Sequence, residues 1–439
     1  MRPLAVAVLL LAGASAVQEQ LIAQPLAKAL EPFAFPFAAA DSGAVALAPI
    51  LHAMRDARVL GLGEPTHGTA EVFRLKHRMI RRLIEEGRVR HLVLEASVGE
   101  GADFDDYVAG RRDDLITLLS GVPLWMLQVN EFAEFLRWLR AYNSTATQPV
   151  RLHGMEAQYA DRSARHALAY LRTLDEPLAT HLLTTFGAQR VASKTASALE
   201  FAHLYGALSD STLAAYQSLF LGLRAAFDSR RDEFVKRSST SAFTDARRHV
   251  SAIGQFTSLA LLESPGARAQ LRDYIMAVNV SGIVASGNPD DRVVVWAHNE
   301  HIWKREGNGG YDVLGRQLER RYGPSYYAIG FDFGSGSFRA PGANAWVHEV
   351  GAPQSDSFTA SMARAGKPDL FLDIRGALGT AEGADALRGP FTVRATAGGQ
   401  VTMRNGVRVF DQSLSLADRF DGLLYVSRST PTSLVRLAP

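Results

Sequence analysis

Residues 59–78, VLGLGEPTHGTAEVFRLKHR, place Glu64 and His67 three positions apart, directly after a short apolar run. Glu95 closes a second apolar run (VRHLVLEAS, 89–97), and His298 and His301 follow a third (VVVWA, 293–297). A histidine with adjacent carboxylates suits general-base activation of water. A second pair of imidazoles could polarise a carbonyl oxygen or protonate a leaving alcohol. Together they describe direct hydrolysis without a covalent intermediate. Other chemistries fit less well. The stretch GLGEPTHG opens like a dinucleotide-binding turn, but Thr66 stands where the fingerprint needs its third glycine, and Glu64 would set a carboxylate beside the pyrophosphate. Instead, Gly61 and Gly63 read as shaping a tight turn that presents Glu64 and His67. There is no G-x-S-x-G elbow and no H-E-x-x-H pair. The chain has no cysteine, which excludes a thiol nucleophile and any thiolate metal site.

Such residues act together only if the fold gathers them. RVLGLGE (58–64) and VRHLVLEAS read as buried strands, with a helix from about Thr69 to Gly87 between them. This βαβ unit makes the two strands parallel. Further strand candidates are 149–156, 291–298, 325–331, 369–374 and 422–427, and a helix is expected over Ala44–Ala57. Residues from about 160 to 285 show helical periodicity alone. The expected architecture is α/β: a mostly parallel central sheet flanked by helices, with a helical insertion between two sheet strands. In open sheets of this kind ligands gather outside the carboxyl ends of the strands, where Glu64, His67, Glu95, His298 and His301 would converge. On the 69–87 helix, Val72, Phe73, Leu75, Met79, Ile80, Leu83 and Ile84 form one stripe with Lys76 in its middle. A lysine there either runs its stem out to water or meets an anion, and Glu64 and Glu95 are the expected partners.

The chain has 439 residues, 47% hydrophobic and 21% charged, with a net charge of +2, which marks no nucleic-acid partner. MRPLAVAVLLLAGASAVQ has one basic residue, an apolar run and a small-residue cut site, the pattern of a signal peptide over residues 1–16. Cleavage near Ala16 would export the chain to the periplasm or medium, with no stable membrane anchor. A lead-in (17–42) and one large domain (43–439) follow. No obligate protein partner is expected.

LGEPTHGTAEVFRLKHRMIRRLIEE, LVLEAS, LWMLQVNEFAEFLRWLRAYN, the Arg272-Asp273-x-x-Met276-Ala277-x-Asn279 run, WAHNEHI and FDGLLYVSRSTP resemble the erythromycin esterase family, in order from about residue 42 onward. The resemblance implies a metal-independent hydrolase, with no cofactor, that opens the ring of macrolide antibiotics. It implies His67 as general base oriented by Glu64, with Glu95 as second carboxylate and His298 and His301 as the paired histidines. Lys76 stands where arginine is common, Glu156 where aspartate is usual, and Val278 where glutamate is common. Of Trp125, Trp138, Trp296 and Trp303, Trp125 and Trp303 are expected to bind substrate, and Asn130 to cap a helix. Two other readings use the same residues: a divalent-metal-dependent hydrolase, with His298-x-x-His301 as ligands, and a non-catalytic exported binding protein.

Overall fold

The computed structural model describes residues 28–37, 44–87, 89–190, 208–307, 309–341, 346–353, 357–358, 360–361, 369–394, 402–404, 407–409 and 411–436. The expected signal peptide, and most of the lead-in after it, lie outside these residues.

Nine strands form one mixed sheet: β1 (Ala34–Pro36), β2 (Val59–Leu62), β3 (Val89–Ser97), β4 (Arg151–Glu156), β5 (Arg292–Trp296), β6 (Tyr326–Arg339), β7 (Val347–Val350), β8 (Leu370–Asp373) and β9 (Gly422–Ser429). Their order is β1-β8-β9-β6-β2-β5-β3-β4, with β7 paired to the far end of β6. The run β9-β6-β2-β5-β3-β4 is parallel throughout, and β1, β7 and β8 pair antiparallel. β2 and β3 are parallel, but β5 lies between them. This puts the strand carrying His298 and His301 midway between those carrying Glu64 and Glu95.

Side-chain alternation divides the sheet into two buried faces. Leu60, Leu62, Leu92, Leu94, Val294 and Trp296 pack on one side against helices α1 (Ala44–Ala53), α2 (Ala70–Glu85) and α4 (Asn130–Asn143). Val59, Val93, Val293 and Val295 face a second core with Met276, Val280 and Ile283. α2 buries the whole predicted stripe and Lys76 with it, and Gly87 ends the turn after it with a φ of +85°. A third helix, α3 (Val98–Val108), follows β3 directly.

Between β4 and β5 come α5 (Asp161–Leu174), α6 (Glu176–Arg190), α7 (Asp210–Ser229), α8 (Thr240–Ala260) and α9 (Pro265–Ser286). The first four bury an apolar core of their own around Leu171, Tyr216, Leu223, Phe227 and Phe256. α9 returns along the sheet and delivers its first turns to the strand ends. Asn130 does not cap α4. The helix is preceded by Val129 without a side-chain cap, and the Asn130 amide donates to Leu434 O of the C-terminal segment. Among the described residues, no helix is long and apolar enough to cross a membrane.

Candidate active site

The carboxyl ends of β2, β3, β4 and β5 open onto one cleft of about 390 Å³. Its wall includes His67, Glu95, Glu156, His298, Glu300 and His301, with Arg272 from α9 and Trp125 from a short turn before α4. The segments that carry these groups approach closely. A Cβ on Gly63 would lie 2.1 Å from Asn299 Oδ1, and one on Gly68 would lie 1.9 Å from Arg339 O. Neither Gly61 nor Gly63 has a positive φ. The glycines of GLGEPTHG therefore serve close packing and do not make the turn itself, contrary to the reading from sequence. Asn299 secures the approach: its side chain exchanges two hydrogen bonds with the backbone of Phe331, and its N–H donates to Glu64 O.

Glu64 sits under His67 and is almost wholly buried. Its Oε1 accepts from His67 Nδ1 at 2.6 Å, and its Oε2 accepts from Lys76 Nζ at 2.6 Å and Trp296 Nε1 at 3.0 Å. Burial raises the Glu64 pKa, but Lys76 and His67 outweigh it and hold the group at about 2. Burial brings Lys76 down to about 8 against the pull of Glu64. Both are therefore ionised at neutral pH. The Lys76 ammonium also lies 4.7 Å over the Trp296 ring. Its other expected partner, Glu95, is bonded elsewhere. An ionised carboxylate only accepts, so His67 Nδ1 carries a proton. In the neutral ring Nε2 is the bare nitrogen, and it has no protein partner among the described residues. Burial disfavours the charged ring, but the bond to Glu64 and the Glu95 and Glu64 charges prevail, and the His67 pKa rises above its ordinary value.

The other side of the cleft is organised around Arg272. It donates to Glu95 Oε1 at 2.9 Å and to both oxygens of Glu156, Oε2 at 2.9 Å. Glu95 Oε2 accepts from the His298 backbone N–H at 2.7 Å. His301 Nδ1 donates to Asp273 Oδ1 at 2.8 Å, and its Nε2 lies 3.4 Å from Glu95 Oε1. Burial opposes charge on His301, but Asp273 and Glu95 bring its pKa up to about 10. Arg272 Nη1 lies 2.9 Å from His301 Nε2, and a guanidinium only donates, so that contact is a hydrogen bond only when Nε2 is bare. Glu95, Glu156 and Asp273 face one guanidinium there, and this charge balance favours the imidazolium. At 2.9 Å Nε2 accepts from Arg272; protonating it gives up that bond and leaves Glu95 Oε1, 3.4 Å away, as its partner.

His298 differs. Its Nε2 lies 3.2 Å from Pro65 O, which only accepts, and its Nδ1 takes the Glu300 N–H at 3.3 Å. Burial and the neighbouring His67 charge depress its pKa to about 3. It is therefore a neutral ring with both nitrogens committed, 5.0 Å from His67 between ring centres.

Trp125 stands edge-on to His67 with ring centres 6.5 Å apart, and its other side meets Trp346, which is 48% exposed. Trp303 does not join it. The helix α10 (Asn299–Ile302) ends just before it, and its side chain turns into the second core beneath Arg419. Trp138 stacks on Phe135 in the first core.

The metal reading meets an occupied donor set. Each oxygen of Glu64 and Glu95 already accepts from a lysine, arginine, indole, imidazole or backbone N–H. Among the described residues, the three-ligand cluster close enough to surround an ion is Asp103, Asp106 and His166, away from the cleft. Asp103 there is already bonded to Arg162, Arg165 and His166. Sequence reasoning passed over Glu156, Trp296, Glu300, Arg272 and Asp273 as members of the site. Glu156 ends its strand as Glu64 and Glu95 end theirs, so the same rule would have found it. Arg272 and Asp273 lie in a helix far along the chain, and no local spacing signals them.

A mostly parallel sheet thus carries an imidazole–carboxylate pair and a countercharged histidine at its strand ends. Residues 84–429 match the erythromycin esterase family. The chain belongs to that family and is a hydrolase acting on ester bonds. The match begins beyond Glu64, His67 and Lys76, so the placement of those three rests on the geometry. Type II erythromycin esterase of Escherichia coli is 21% identical over 305 residues, 66% of this chain and 72% of that protein. The type I enzyme of the same organism is 23% identical over 300 residues, 63% and 70% of the two chains. Among solved structures, a Bacillus cereus protein superposes with a TM-score of 0.78 at 22% identity, covering 94% of this chain and 99% of that one. A point mutant of the erythromycin esterase EreC, in its open conformation, gives 0.63 at 18%, covering 90% and 96%.

Proposed function

We propose that the protein is an exported hydrolase that opens an ester or lactone bond, of the macrolactone type, by general-base activation of water. The observation that carries this is His67: its Nδ1–H is fixed on an ionised, buried carboxylate, and its Nε2 is free in the cleft wall. A water held between Nε2 and a substrate carbonyl would lose its proton to Nε2 as its oxygen attacks the carbonyl carbon. Charge developing on the carbonyl oxygen would be met by the Arg272 and His301 side of the cleft. Lys76 is too deeply buried to touch substrate and acts by keeping Glu64 ionised. Trp125 and Trp346 offer apolar faces to a large ring. Two curated relatives are named as erythromycin esterases, and that name supports a macrolactone substrate. Export rests on the first sixteen residues, and N-terminal sequencing of the mature protein should begin near Val17.

The test is mass spectrometry of macrolides, simple lactones and alkyl esters incubated with the protein. The expected product is heavier by one water, and His67→Ala should not form it. Binding without conversion of any compound would favour a binding protein. Activity lost to a chelator and restored by a divalent ion would favour the metal-dependent reading.

A further inference from the structure

Most ionisable groups of the cleft are committed to one another. Glu64 holds His67, Arg272 holds Glu95 and Glu156, Asp273 holds His301, and backbone occupies both His298 nitrogens. Glu300 is different. It lies between the two histidines in α10 and lines the cleft, and its Oε1 is buried without a hydrogen-bond partner. Such an atom is uncommon in a folded protein and calls for a reason.

Hydrolysis of an unactivated ester needs a second proton transfer, because an alkoxide is too basic to leave readily without one. His298 is poorly placed to supply the proton, since its N–H is spent on Pro65 O. His301 directs its Nδ1–H to Asp273, and a proton on Nε2 would face Glu95. Burial raises the Glu300 pKa, opposed by His301 and reinforced by Asp273, so this carboxyl holds its proton to higher pH than a free glutamic acid does.

Resting on the hydrolytic reading above, we propose that Glu300 is a further catalytic residue, the acid that protonates the leaving alcohol. The water oxygen bonds to the carbonyl carbon while His67 Nε2 takes one of its protons. The bond from that carbon to the alkoxide oxygen then breaks as the Glu300 carboxyl passes its proton to the same oxygen. The products are an acid and an alcohol. The proton on His67 returns to the Glu300 carboxylate through solvent, which restores both groups.

The test compares Glu300→Gln with the native enzyme on two esters of one acid, an ethyl ester and a p-nitrophenyl ester, whose nitrophenolate leaves without protonation. The expected result is a fall in kcat of about 10²-fold or more on the ethyl ester, with the p-nitrophenyl ester changed less than about threefold. Equal losses on both esters, or no loss on either, would overturn the assignment. Glu300→Asp, which keeps an acid, should recover part of the ethyl-ester activity if the glutamine variant is stable, and failure to do so counts against it. If the native enzyme cleaves neither ester nor any lactone, the hydrolytic reading itself fails, and this one goes with it. Retained p-nitrophenyl activity in the variant separates the two failures.

Discussion

The candidate active-site cleft is not the largest charged cavity among the described residues. A space of about 560 Å³ lies beyond β4, between α3, α8 and α9, and it is lined by Arg111, Arg151, Arg247, Arg248, His153 and His249 among others. It has more charge and more volume than the cleft, but its carboxylates Asp105 and Asp245 are engaged at both oxygens. Asp105 accepts from Arg111 and Arg151 and from the Leu152 N–H, and Asp245 accepts from Arg151 and Arg248. Burial and nearby cations keep His153 and His249 neutral, His249 at about 3. The cleft, in contrast, fixes the His67 ring on an ionised carboxylate with its Nε2 open to the cavity, and leaves Glu300 Oε1 without a hydrogen-bond partner. Density of charge marks where a fold has joined its elements. A cavity in which an ion-paired imidazole of raised pKa faces open space marks where chemistry can occur.

That contrast can be broken by substitution on either side. The largest effect is expected for His67→Ala, which should lower kcat/KM by about 10²–10⁴-fold with little change in melting temperature; full turnover would remove the distinction. Next is Arg272→Met, which strands Glu95 and Glu156 in a buried setting. Breaking such a pair costs about 3–5 kcal/mol, so denaturant unfolding should show a loss of that order together with weakened activity. An unchanged midpoint would mean the carboxylates are not held as described. The smallest effect on turnover is expected from Asp105→Asn in the second cavity. It should cost about 1–3 kcal/mol of stability and leave kcat/KM within about twofold. A large kinetic effect would mean that this cavity, too, serves the reaction.

Much of the framework was legible because it is local. The apolar run of VRHLVLEAS and the stripe on α2 each carry their own signal, and strand-end positions pointed to Glu64, His67, Glu95, His298 and His301. Lys76 was conspicuous as a charge inside an apolar stripe. What escaped depends on contacts between distant segments. Arg272 meets Glu95 and Glu156 across 177 and 116 positions of sequence. Trp303 was expected to bind substrate, but its side chain packs in the second core beneath Arg419. Trp296 was read only as a possible wall aromatic, whereas its N–H completes the shell of Glu64. The glycines were assigned to a turn, but the constraint on them comes from Asn299 and Arg339, far away in sequence.

The account centres on a single poised nitrogen, and the most direct measurement is kcat/KM against pH, with the His67 titration followed by nitrogen NMR on the same sample. Water activation requires the unprotonated ring, and Glu64 and Glu95 raise the His67 pKa, so activity should fall as pH falls through a midpoint above the ordinary imidazole value of 6.5. That midpoint should coincide with the titration of His67. A rate that stays constant down to the carboxylate range, or an acid limb that does not track His67, would contradict the assignment.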